Sequence, residues 1–104
     1  MSEPIRDLRS ELEKNIDAAT WEWLIPHDER DVIIWVDQSI DLLEVGMAIA
    51  QDQTQAVQHW IAEQVIAKPS EAQKQRWSAM DANFQFSALI VQPYVLIQER
   101  AASS

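Results

Sequence analysis

Apolar positions recur along this chain with helical spacing in some segments and as continuous β-branched runs in others. Ile5, Leu8, Leu12 and Ile16 fall three or four apart with charge between them, which predicts an amphipathic first helix. Ser2 is placed to cap that helix, and Pro4 lies in its first turn, where proline is tolerated. Thr20 is a second cap candidate, opening "TWEWLIPHDERD", with Pro26 limiting its regularity. "DVIIWV" is β-branched and aromatic and is bounded by charge, so it predicts a strand. In the segment that follows, Ile40, Leu42, Leu43, Val45, Met47 and Ile49 cover most of a helix circumference. Only Asp41, Glu44, Ala48 and Gln51 form a polar or small stripe, so this helix is expected to be largely buried, capped by Asp37 or Ser39. Gly46 lies inside it at a cost of about 1 kcal/mol relative to alanine. A close approach by another backbone would account for it.

"DQTQAVQHWIAEQ" predicts another helix, with Val57, Trp60 and Ile61 inward, and "VIA" a short strand. Ser70 and Gln73 match a capping box for "PSEAQKQRWSAMDAN", which turns Trp77 and Met80 toward the core. "FQFSALIVQPYVLIQER" carries the strongest strand pattern. Proline cannot donate to a ladder, so Pro93 makes this either an edge strand or two short strands joined by a bend. The expected architecture is α+β: a small sheet of two to four strands covered by four to five helices, one compact domain over residues 1–100 and a flexible tail over 101–104.

Composition narrows the function. A chain of 104 residues builds one modest core. With no cysteine there are no disulfides, thiolate metal sites or thiol nucleophiles. No apolar run approaches the length of a membrane span and "MSEPIRDLRS" has no signal core, so the protein is expected to be cytoplasmic. The net charge of −9 argues against nucleic acid, whose phosphates call for Lys and Arg. Between Arg30 and Lys68 there is no basic residue, while Asp31, Asp37, Asp41, Glu44, Asp52 and Glu63 all fall there. A field of one sign suits a basic partner or simply keeps the chain soluble.

Candidate chemistry is sparse. In "VDQSIDLLEV" the acids Asp37, Asp41 and Glu44 could form an acid–base or cation site. Capping and the helix dipole explain the same residues with less. His59 and Glu63 are spaced to meet on one helical face, and with His27 elsewhere they do not supply the usual three ligands of a catalytic zinc. One glycine leaves no phosphate-binding loop, and no serine lies in a nucleophile elbow. No metal or cofactor is therefore expected. Trp35, Trp60 and Trp77 fit core positions. Trp21 and Trp23 are two apart, cannot share a helix face, and place one indole at the surface, where tryptophan is enriched in binding hot spots.

"TWEWL", "VIIWVDQSIDLLEVGMAIAQD", "VQHWIAEQVI" and "SALIVQPYVLIQE" resemble a bacterial family of unknown function, the one numbered 2288 among such families, over nearly the whole chain. "DLLEV", Trp60 and "VQPYVLIQE" are the most specific parts of that likeness, and none is a catalytic motif. The resemblance implies no activity. It places a glycine in relatives within the turn "HDERD", and for a cyanobacterial member it implies an accessory factor in carboxysome assembly whose partner is a shell-protein tail. Residues and resemblance together lead to a non-enzymatic adaptor or assembly chaperone that binds a basic or amphipathic peptide of a partner protein through Trp21, Trp23, Asp37, Asp41, Glu44 and Tyr94, with strand addition at the last strand as one mode. A carboxylate-based enzyme or metal protein using Asp37, Asp41, Glu44 and His59, and a structural homo-oligomer, are the alternatives.

Overall fold

The computed structural model describes residues 4–80 and 84–100, with side chains from residue 8 onward. The expected Ser2 cap, the Ile5 side chain and the 101–104 tail lie outside those residues.

Helices α1 (Pro4–Lys14), α2 (Trp21–Glu29), α3 (Leu42–Ala50), α4 (Thr54–Ala62) and α5 (Glu71–Ser78) accompany strands β1 (Asp17–Thr20), β2 (Ile33–Val36), β3 (Ile66–Ala67), β4 (Gln85–Val91) and β5 (Tyr94–Glu99). The α+β class is as expected. The sheet has five strands rather than two to four, in the order β1-β4-β5-β2-β3. The additional strand is "DAAT", whose alanines and flanking acid carry little β propensity. It exists because β4 offers it a partner, in the register Asp17↔Ala88 to Thr20↔Gln85.

The bend at Pro93 makes two strands. β4 and β5 form an antiparallel hairpin closed by Val91↔Tyr94, with a cis Gln92–Pro93 peptide in the turn. β5 then pairs in parallel with β2, and β2 pairs antiparallel with β3. Both halves of the hairpin are therefore interior, and strand addition at the last strand is ruled out because each of its edges is already paired. The free edges belong to β1 and β3.

Alternation along the strands divides the core in two. On one face Val36, Leu89, Val91, Leu96 and Ile66 pack with Leu12 of α1 and Leu42, Leu43 and Val45 of α3. On the other, Ile33, Phe86, Ala88, Val95 and Ile97 pack with Leu24 of α2 and Trp77 of α5. Gly46 faces the first core. A Cβ there would lie 2.5 Å from Leu89 Cδ2, so a side chain, not a backbone, accounts for the glycine. Trp77 is buried as expected, whereas Trp35 and Trp60 are only partly buried and Met80 is exposed. Met80 follows the last turn of α5, beyond the stretch whose helical phase turns Trp77 inward.

Candidate functional site

"VDQSIDLLEV" is a clamped loop followed by a helix cap. Asp37 Oδ2 accepts the Ser39 backbone N–H at 2.9 Å, and the Ser39 hydroxyl and this N–H together hold the Asp37 carboxyl below its ordinary value. The cap of α3 is Asp41, not Asp37 or Ser39: its Oδ1 accepts the Leu43 N–H at 3.1 Å. Glu44 is exposed in the first turn, where a negative charge suits the dipole. From β5, Gln98 Nε2 donates to the carbonyls of Asp37 and Ile40 at 2.9 and 2.7 Å, pinning the loop to the sheet. His59 and Glu63 form an exposed pair 3.9 Å apart on α4. Among the described residues no three His, Cys, Asp or Glu side chains are grouped to hold a metal ion.

The aromatic candidates lie elsewhere. Trp21 is half-buried, 5.2 Å from Trp77 between ring centroids, and donates its indole N–H to Ser78 Oγ at 3.2 Å. Trp23 is 48% exposed, packs at a tilt against His27 with ring centroids 4.8 Å apart, and lines a hollow over β1 and β4. Both belong to α2, on the face of the sheet opposite α3. Tyr94, 39% exposed, begins β5, whereas the Asp37 loop is tied to its far end. Six residues of β5 separate those ends by about 17 Å. The structure thus distributes the six expected residues over both sheet faces and both ends of β5, and only Tyr94 lines the main cavity.

That cavity is an open groove of 480 Å³ between α4, the end of α3 and strands β2 and β3. Its apolar lining comes from Ile34, Ile49, Val57, Ile61, Ile66 and Tyr94. Thr54, Val57, Gln58 and Ile61 are spaced so that one complete stripe of α4 faces it. α4 has no buried residue and no side-chain cap. Ile61, which the periodicity placed inward, is 53% exposed. Asp31, Asp52 and Lys68 stand at the groove, with Lys68 Nζ 2.6 Å from Asp31 Oδ2. The pairing of Val57 with Ile61 four residues on was the sequence signal for this surface. It did not say that none of the described elements covers it.

Fold and groove define the class: a small α+β domain with a mixed sheet covered on both faces and one open apolar trough beside α4. No helix among the described residues is long and apolar enough to cross a membrane. The family model described as "Protein of unknown function (DUF2288)" matches residues 7–99, and the chain belongs to that family. Among solved structures it is similar to the NMR solution structure of PA1075 from Pseudomonas aeruginosa, at 27% identity and a TM-score of 0.78, covering 100% of this chain and 92% of that one. No curated protein matches.

Proposed function

We propose that this protein is a non-enzymatic protein-binding module, an adaptor or assembly factor, and that it holds an amphipathic segment of a partner protein in the groove along α4. The observation that carries this reading is α4 itself. Its apolar side chains form a stripe covered only in part: Val57 and Trp60 are partly buried against the first core, while Ile61 is 53% exposed and lines the groove with Tyr94. A helix draws most of its stability from burying such a stripe, so a partner surface completes what the fold leaves undone. The occupant is basic on its polar side, because the cation lining the groove, Lys68, is already paired with Asp31 while Asp52 has no ion pair among the described residues, in a chain of net charge −9. The carboxysome shell-protein tail implied by the family resemblance is the specific segment to test.

A pull-down from lysate of the source organism at low and high salt, with wild type and Ile61→Asp in parallel, tests this. The expected result is one protein retained by wild type at low salt, lost at high salt and lost by Ile61→Asp. No capture, or capture that survives Ile61→Asp, rejects the groove. A homo-oligomer is a second reading, favoured by the free edge of β1 and by exposed Trp23 and Ile90, which line one hollow over β1 and β4. Sedimentation that gives a monomer mass at every concentration rejects it.

A further inference from the structure

The groove has a polar mouth as well as an apolar floor, and an acid with no ion pair among the described residues stands there. Asp52 has φ 58, in the left-handed region that costs an L-residue roughly 1–2 kcal/mol and that helix ends usually fill with glycine. Its neighbour at the mouth, Asp31, has φ 64 and is already paired with Lys68. Among the described residues Asp52 has no ion pair, and it lines the groove between the end of α3 and the start of α4, next to Gln53 and Thr54.

Resting on the peptide-groove reading above, we propose that Asp52 is the specificity residue of the groove, and that it reads a Lys or Arg on an amphipathic helix whose apolar side chains lie on Ile34, Ile49, Val57, Ile61 and Tyr94. A helix fits better than a strand. The groove is walled along its length by a helix, α4, and the two-residue β3 offers an extended peptide only a short free edge. The floor instead offers ridges of side chains from α3 and α4 into which a third helix can pack. Charge complementarity sets the orientation: the cation of the occupant lies at the α3–α4 junction, and its apolar stripe runs along α4 toward Ile61.

Asp52 also lies just before the N-terminus of α4, where its charge offsets the missing side-chain cap. That purely structural role affects the stability of the domain and not its choice of peptide, so the two roles separate experimentally. The probe is a fluorescein-labelled amphipathic helical peptide with leucines at helical spacing and lysines on the polar face, compared with the same peptide carrying glutamates for lysines. Anisotropy titrations at low salt use wild type, Asp52→Asn and Ile61→Asp. Asparagine tolerates the left-handed conformation, so Asp52→Asn keeps the turn, and thermal unfolding checks it.

The expected result is that wild type binds the lysine peptide and not the glutamate peptide. Asp52→Asn is expected to bind the lysine peptide about three- to ten-fold more weakly, the size of one or two exposed charge contacts, and Ile61→Asp not to bind measurably. Equal affinity of wild type and Asp52→Asn for the lysine peptide overturns the role of Asp52 and leaves the groove reading standing. Failure of wild type to bind either peptide, or unchanged binding by Ile61→Asp, overturns both.

Discussion

At the scale of single residues, the chain solves helix termination almost without glycine. Asp31, Asp52 and Gln64 take positive φ of 64, 58 and 64°. Each follows a helix and makes the same pair of bonds. At the end of α4, Gln64 N–H reaches the Ile61 carbonyl at 3.0 Å and Val65 N–H the Trp60 carbonyl at 3.1 Å. Asp52 and Gln53 do the same on Ile49 and Ala48, and Asp31 and Val32 on Asp28 and His27. This is the Schellman arrangement, whose left-handed position favours glycine. Asp31 thus occupies the conformation for which the resemblance placed a glycine in the "HDERD" turn. Gln64→Gly is expected to stabilise the domain by about 0.5–1 kcal/mol, since relief of left-handed strain outweighs the added chain entropy; urea unfolding measures it. A second residue-scale prediction concerns acid. The carboxyl of Asp37 is held below its ordinary value in the folded state, so its contribution is fully present above the unfolded value of about 3.9 and is lost as pH falls through the folded value. Asp37→Asn should therefore be less stable than wild type at pH 7, with the difference shrinking as urea titrations move below about pH 4.

At the scale of elements, α3 shows how a buried helix is fitted to a sheet. Its hydrophobic wrap was legible from the sequence, and so was an acid at its start. Which acid caps it was not. The pattern offered Asp37 or Ser39, but Asp41 takes the position, in a turn that Gln98 pins to β5. The role of Gly46 was equally hidden, since it depends on Leu89, 43 positions away in sequence. Alanine gains about 1 kcal/mol of helix propensity. It also drives a methyl into the fully buried Leu89, and overpacking costs about 1–3 kcal/mol. Gly46→Ala is expected to destabilise by about 1 kcal/mol net. Combined with Leu89→Val it should cost less than the sum of the two single substitutions, which a double-mutant cycle by thermal unfolding reads directly.

At the scale of the whole molecule, a single carboxylate joins the α5 layer to the sheet. Glu99, last in β5, accepts the Trp77 indole N–H at 2.8 Å and Arg76 at 3.1 Å on one oxygen. Trp77 is 2% exposed and centres the second core, 5.1 Å from Phe86 and 5.2 Å from Trp21 between ring centroids. Without its acceptor this indole N–H is left unsatisfied in the interior. Glu99→Ala is expected to cost about 1–3 kcal/mol, while Glu99→Gln, which keeps an acceptor oxygen, should lose distinctly less. Near-ultraviolet circular dichroism of the tryptophans together with chemical unfolding would show both effects.

Local pattern by itself determined the amphipathic first helix, the buried third helix, the capping box of Ser70 and Gln73 and the β-branched strand at Ile33–Val36, because periodicity and cap chemistry depend only on near neighbours in the chain. Tertiary structure decided the rest. "DAAT" became a strand because β4 lay beside it, the hairpin became interior because β2 pairs with β5, and Met80 and Ile61, which helical spacing turned inward, are exposed. The candidate site was least legible for the same reason. A groove is made by what fails to cover a stripe, and only the placement of α4 against the short strands β2 and β3 shows that Ile61, Asp52 and Tyr94 share one open surface.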